Sequence, residues 1–595
     1  MTQRLCPLTV LAGLVVVGAV RAPQATAKEA RVNQVMHTYT LSENGTPAAY
    51  DEAMAVACLQ GLINRADPGL YVLSLADKRP EYWLQVLSQD GRWLRERQRE
   101  PVSDLSGLVA LAKGRVKGAV IWDPSVPATV DVATTIAGVQ DGVVLSPEMA
   151  DRYLGAWKLP ILDDLRGRFT GAETGSAKND AYRWAIRKYL AQGACSAHLI
   201  CLYEDAFSTR AQGDTGYVVT RDWAVRNRAF VFDLSPWGDE KPGDDLEQPL
   251  GTDLETYQLL LEEALCQSAG KQMTELAGFF AFQKYSNVPG HASAHDPVPT
   301  EWETVYLVSP YNGYQNTVAS SCFNQSLHSQ APRRRLKQHR PTKVAKLADK
   351  TYLCFLMADY DSATPLYSFL PDHWDDPNRG QIPLAWGIDP NLVETFPDLF
   401  SYFYATASAN DYFTSDASAA GYMNPNRVQE SYLPLFVRHS QRFFRETDMT
   451  IAPMVLDWDE PTARVKDAFT KFAPDGFATI VMDLHGTGGK SPESHVWEGM
   501  PVTNLINNAC NFDSPEQAAA ILGACLQGQP AGSPGFYLFR VVWTGPTQII
   551  DTVGRVREAR PDLDLEVVDP YTFFRLFREH EEQRLGGGTP VRQPD

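Results

Sequence analysis

The sequence predicts a multi-domain α/β protein, with small N-terminal α/β domains followed by a C-terminal (β/α) barrel-like domain. Three observations lead there. The chain has 595 residues, too many for one hydrophobic core. Its first half alternates short apolar runs with helical stretches, the pattern of small parallel sheets. Its second half passes repeatedly from strand to turn to helix, the order of a barrel, with an open doubly wound sheet as the alternative.

The elements follow in chain order. Arg4, the apolar run Leu5–Val20 and the small residues Ala25-Thr26-Ala27 read as a signal peptide over 1–27, which places the protein outside the cytoplasm, secreted or periplasmic. No later run reaches the ~18 apolar residues of a membrane span. "GLYVLSLAD" (69–77), "GAVIWDPS" (118–125), "GVVLS" (142–146), "SAHLICLYED" (196–205) and "AFVFDLSPW" (229–237) read as buried strands. Helical stretches such as "DEAMAVACLQGLINR" and "DAYRWAIRKYLAQG" separate them. The expected domains are 28–100, 101–170 and 171–270. From there to 580 the barrel is expected, built on eight strands: "ETVYLVSPYN", "TYLCFLMADYD", "IPLAWGID", "DYFTSDAS", "TIAPMVLDWDEP", "FATIVMDLHG", "FYLFRVVWTGP" and "LEVVDP". Residues 581–595 read as a disordered tail.

Several functions are excluded early. The net charge of -18 speaks against a nucleic-acid-binding surface, and the basic run Arg333–Lys343 reads as a solvated linker. No Gly-x-Gly-x-x-Gly follows a strand, so no dinucleotide site is expected. "DLHGTGGKS" fails as a phosphate loop, because residue 484 is Leu where the first Gly belongs. No Cys-x-x-Cys pair supports zinc, and no metal or other cofactor is expected.

Barrel chemistry gathers at the C-terminal ends of strands, so the acids there matter most. Asp389 and Asp569, each before a Pro, read as helix caps, as do Ser514 and Asp459. Asp359 and Asp361 in "MADYDS", Asp457 in "PMVLDW" and Asp483 in "IVMDLHG" have no such role. They are the candidate catalytic carboxylates, since glycosidic cleavage needs a proton donor and a nucleophile or base. Aromatics crowd the same strand ends: Tyr311, Tyr314, Trp386, Tyr412, Tyr422, Trp458, Trp497 and Trp543. Aromatic faces suit the apolar faces of sugars. The candidate substrate-binding residues are Asn312, Trp386, Tyr412, Gly421, Tyr422, Trp458 and His485.

The run Ala419-Ala420-Gly421-Tyr422-Met423-Asn424-Pro425 resembles the signature of the GxGYxYP proteins, a family of exported glycoside hydrolases. Gly421, Tyr422 and Pro425 match, while Ala419 replaces the first Gly and Asn424 the second Tyr. "MADYDS" is similar to the family's Asp-Gly-Asp-Asn segment, with Tyr360 for the Gly and Ser362 for the Asn. "RGQIPLAWGIDPNL", "EWETVYLVSPYNGY" and "CLQGLINRADPGLYV" also resemble family blocks, so the likeness runs over roughly 37–580. It implies a C-terminal domain of the glycoside hydrolase and deacetylase type acting on a poly- or oligosaccharide. Two other readings are kept. One is metal-assisted deacetylation of a polysaccharide, with a divalent ion bound by Asp359 or Asp361 and a nearby His. The other is glycan binding without chemistry.

Overall fold

The computed structural model describes residues 35–42, 45–280, 284, 297–317, 321–342, 345–454, 460–480, 493–506 and 514–586. Three small parallel sheets precede a larger one. The first orders its strands β2-β1-β3 (β1 Val35–Leu41, β2 Leu70–Ser74, β3 Gln98–Pro101). The second orders them β5-β4-β6 (β4 Gly118–Ile121, β5 Gly142–Leu145, β6 Ile161–Asp164). The third runs β10-β9-β7-β8 (β7 Leu199–Leu202, β8 Phe230–Phe232, β9 Thr274–Gly278, β10 Gly313–Asn316). The third sheet therefore extends past residue 270, where a domain end was expected, because β9 pairs with β7 and β10 with β9. The five expected N-terminal strands match β2, β4, β5, β7 and β8. Exposed β3 and half-exposed β6 have no apolar run to announce them.

The fourth sheet curls into a nearly closed barrel. Its parallel strands follow the order β13-β12-β11-β18-β17-β15-β14. They are β11 (Thr351–Ala358), β12 (Leu384–Gly387), β13 (Asp411–Thr414), β14 (Ile451–Met454), β15 (Gly476–Thr479), β17 (Met500–Ile506) and β18 (Gly535–Val542). One backbone bond bridges the two ends of this path, from Ser415 N to Ile451 O at 3.3 Å. β16 (His495–Trp497) is an antiparallel flap on β17, and β19 (Leu565–Val567) shares with β12 one edge of β11.

Side-chain alternation explains the closure. Every residue of β11 is buried. Tyr352, Cys354, Leu356 and Ala358 join an inner cluster with Ala385, Ile451, Ala478, Leu505, Leu538 and Val542. Leu353, Phe355 and Met357 join the outer core beneath the helices, with Trp386, Phe413, Phe477 and Phe539. A strand apolar on both faces fits only between two packed layers.

Three expectations are corrected here. "ETVYLVSPYN" is not a strand but part of the helix Pro297–Val308, followed by a 3-10 turn. Its buried residues Thr304, Val305 and Val308 have helical spacing. β17, not expected from the sequence, takes a place in the ring. The tail does not begin at 581, since the last helix runs Pro570–Gly586 and holds Glu581 against Arg584. The basic run is strapped to the barrel by ion pairs of Arg333 with Glu394 and Glu446, and of Lys337 and Arg340 with Asp448.

Candidate functional site

Four neighbouring strands of the ring deliver charged groups to one mouth. Asp359 and Asp361 follow β11, Asp389 follows β12, and Asp416 follows β13. Arg540 lies within β18, in register with Leu356 of the inner cluster, so it points into the barrel. Room for Asp416 comes from Gly387, where a Cβ would approach the Asp416 side chain to 2.9 Å.

The contacts are specific. Arg540 forms an ion pair with Asp359, which takes a left-handed φ of +64°. The backbone N–H of Asp359 donates to Asp416 Oδ2, and the Tyr422 hydroxyl donates to Asp361 Oδ2. One oxygen each from Asp359, Asp361 and Asp416 lies within 4.8 Å of the others. Asp361 Oδ1 and Asp416 Oδ1 are buried with no hydrogen-bond partner among the described residues. Asp389 makes no capping bond; its Oδ1 accepts from Asp416 N (3.4 Å) and Ala417 N (3.2 Å), and its Oδ2 from Gly421 N (3.1 Å). Asp569 and Ser514 do cap, accepting from Thr572 N and Gln517 N.

This crowding sets the protonation. Burial, and then the charge of Asp359, push Asp361 up to about 7 against the pull of Tyr422 and Arg540. Burial and the charge of Asp361 hold Asp389 and Asp416 well above the usual carboxylate range, with backbone N–H donors opposing at Asp389 and Arg540 at Asp416. Four carboxyls around one guanidinium cannot all ionise. The mouth therefore keeps a proton donor beside an ion-paired carboxylate. The same three clustered oxygens have the hard-donor character of a divalent cation site, with no histidine or cysteine in the group.

The signature loop completes the wall. Tyr422 N donates to Gln315 O (2.8 Å) and Gln315 N to Tyr422 O (2.7 Å), so the loop adds a rung to β10 of the third sheet. Gly421 has φ +98°, and a Cβ there would lie 2.2 Å from the Tyr314 ring. Two family models match the chain. The model described as "GxGYxYP putative glycoside hydrolase C-terminal domain" covers residues 349–578, and the "GxGYxYP_N second domain" covers 116–193. The chain belongs to the GxGYxYP family. Membership puts it among carbohydrate-active hydrolases in the general sense.

Among solved structures, one described as a "putative hydrolase" from Bacteroides thetaiotaomicron is similar at TM-score 0.68 and 16% identity, over 92% of this chain and 95% of that one. This likeness shows the shared multi-domain fold. A "putative polysaccharide deacetylase" from Mycobacterium smegmatis aligns at TM-score 0.30 and 11% identity, over 44% of this chain and 99% of that one, too remote to carry an argument. No curated protein matches the chain.

Within the GxGYxYP signature, the two departures have local explanations. Ala419 is buried and its φ is not positive, so the position does not demand Gly. Asn424 caps the short turn Pro425–Arg427 by accepting from Arg427 N, and its own N–H donates to Ser309 Oγ. Of the candidate residues, Asp359, Asp361, Gly421 and Tyr422 come together. Asp457, Asp483, Trp458 and His485 lie outside the described residues. Three others are corrected. Trp386 faces the outer core, against Trp374, with its indole N–H on Asp411. Tyr412 sits near the start of β13, between His339 and Tyr571, at the opposite end of the barrel. Asn312 shapes the left-handed turn into β10 and donates to Gln272 O. The residues not foreseen are Asp389, Asp416 and Arg540. Arg540 had a signal, as a lone charge inside an otherwise apolar strand.

Proposed function

We propose that this protein is an exported glycoside hydrolase that cleaves a poly- or oligosaccharide at the barrel mouth with retention of anomeric configuration. The observation that carries the reading is Asp361, a buried carboxyl pushed up to about 7 and set within 4.8 Å of the ion-paired Asp359. Protonated Asp361 gives its proton to the leaving glycosidic oxygen. Asp359, the more accessible of the two, attacks the anomeric carbon as that C–O bond breaks. Water then attacks the glycosyl–enzyme ester, losing a proton to Asp361 and restoring both groups. Oxygens this close fit the ~5–5.5 Å carboxyl spacing of a retaining pair better than the ~6.5–9.5 Å of an inverting one. Burial and the charge of Asp359 keep Asp361 protonated up to about pH 7, while Asp416 and Asp389 position the site by accepting from the backbone N–H groups of Asp359 and of residues 416, 417 and 421. Asp457 and Asp483 remain candidate carboxylates on the sequence reading alone, outside the described residues. Export rests on the signal reading of residues 1–27, and no helix among the described residues is long and apolar enough to cross a membrane.

The test is reducing-end release from a polysaccharide panel, with the product anomer read by NMR. Release of the retained anomer by the native protein, abolished in Asp361→Asn, is expected. Equal release by both would remove Asp361 from the chemistry.

The three clustered oxygens favour a second reading, metal-assisted deacetylation. Acetate release that stops on chelation and returns with a divalent ion, without new reducing ends, would select it.

A further inference from the structure

Two large aromatic side chains stand in solvent beside the acids. Trp543 directly follows β18, and Phe369 closes the turn Pro365–Phe369 that follows the acids of β11. β11 and β18 are ring neighbours, so the two segments emerge side by side. Trp543 is 48% exposed and Phe369 37%. Their rings meet edge to face at 5.0 Å. The Trp543 indole N–H donates to the backbone carbonyl of Asp359 at 3.1 Å, which fixes the ring against the candidate nucleophile's own backbone. Trp543 also holds φ +47°, a region that bulky residues rarely enter.

Strain of this kind persists where the surroundings hold it in place, and such positions gather at ligand sites. A tryptophan that only packed the core would be buried. Here the polar edge of the indole is already bonded, and what faces water is the apolar body of two rings. An aromatic face is electron-rich and matches the C–H-bearing face of a pyranose. An anionic sugar would bring a further carboxylate into a buried mouth where Arg540 is already paired with Asp359, so its desolvation would go uncompensated.

We propose that Trp543 and Phe369 form a stacking platform that binds a neutral pyranose ring of the substrate chain next to the acids. The proposal rests on the carbohydrate reading of the mouth, and it adds a subsite and a substrate class, neutral rather than uronic glycans.

The experiment measures binding apart from hydrolysis. Asp361→Asn, used to prevent turnover, is titrated calorimetrically with cellohexaose, xylohexaose, maltohexaose, chitohexaose and hexagalacturonate. At least one neutral hexamer binds, and hexagalacturonate binds at least about tenfold more weakly. Adding Trp543→Ala weakens the neutral hexamer by about 10- to 100-fold, as loss of a large apolar contact should. Trp543→Tyr recovers most of that affinity, and Phe369→Ala costs less than Trp543→Ala. Unchanged thermal melting of the exposed-site variants shows that folding is not the cause. The platform is overturned if no neutral hexamer binds, or if Trp543→Ala binds as well as its parent. Binding that depends on Trp543 without any reducing-end release by the native protein would uphold the platform and overturn the hydrolase reading alone. Release with KM unchanged by Trp543→Ala would do the reverse.

Discussion

The third sheet and the barrel both end their parallel strands in buried acids, and they neutralise them differently. In the third sheet, Lys284 Nζ reaches Asp205 (2.9 Å), Asp233 (2.7 Å) and Asp244 (2.9 Å), while Lys178 reaches Asp244 and Asp253 (2.9 Å each). Burial works to raise Asp244, yet the two lysines overcome it and bring the group down to about 2. Asp233, touched by one lysine, stays up at about 6. Glu204 is the exception there, raised to about 9 by burial and then Asp233, with Oε2 unpartnered. At the barrel mouth four carboxyls gather and Arg540 is ion-paired with Asp359, while Asp361 Oδ1 and Asp416 Oδ1 have no hydrogen-bond partner among the described residues. Burial alone therefore does not mark chemistry. What separates the clusters is the supply of cations: nearly complete in the third sheet, short at the mouth.

The largest expected effect tests the mouth. Asp361→Asn keeps the shape and an acceptor for Tyr422 but removes the transferable proton. kcat/KM should fall by about 10²- to 10⁴-fold, with melting within a few degrees of the native protein. The pH profile follows the same logic. Because the donor must be protonated, native activity should decline as pH rises through about 7. The stability sign is opposite to that of an ordinary paired acid. Between about 3.8 and about 7 the folded state holds a proton that the unfolded state has released, so this group's contribution falls as pH rises and levels off above 7. An Asp361→Asn melting curve should lack that slope. A native profile flat through pH 7 would put the proton donor elsewhere.

The third sheet should respond the other way. Lys284→Met leaves Asp205 and Asp233 without the lysine each one contacts and removes one of two from Asp244. The expected cost is about 3–5 kcal/mol of stability by urea unfolding, with kcat/KM of the remaining folded protein unchanged. Loss of activity without loss of stability would mean that the two clusters are one functional unit.

Much of this was legible in the sequence, for definite reasons. Strands buried on both faces, such as β11, leave an unbroken apolar run, and the pair Asp359 and Asp361 interrupts that run where a mouth belongs. Asp416 was hidden because "DYFTSDAS" reads as ordinary strand and loop, and Asp389 because an Asp before Pro fits a cap. Only the fold shows that Asp389 turns away from its own helix toward the N–H groups of 416, 417 and 421. Trp386 and Tyr412 were misplaced for a related reason. The alternation of a strand says that neighbours face opposite sides, but not which side is the barrel interior, nor which end is the mouth.

The smallest effect is expected in the loop that joins the two regions, where β10 and the signature meet. Gly421 and Ala419 occupy glycine positions of the motif, yet their surroundings differ. Gly421 lies at φ +98° with Tyr314 where its Cβ would go, while Ala419 already carries a Cβ, buried at an ordinary φ. Gly421→Ala should therefore cost about 1–3 kcal/mol of stability and lower activity, because the backbone that carries Tyr422 to Asp361 must shift. Ala419→Gly, which restores the family residue, should cost no more than about 1 kcal/mol and leave activity intact. Pairing Gly421→Ala with Tyr314→Ala separates the two causes. Rescue by the second change would assign the loss to overlap with the third sheet, and no rescue would assign it to backbone strain within the barrel's own loop.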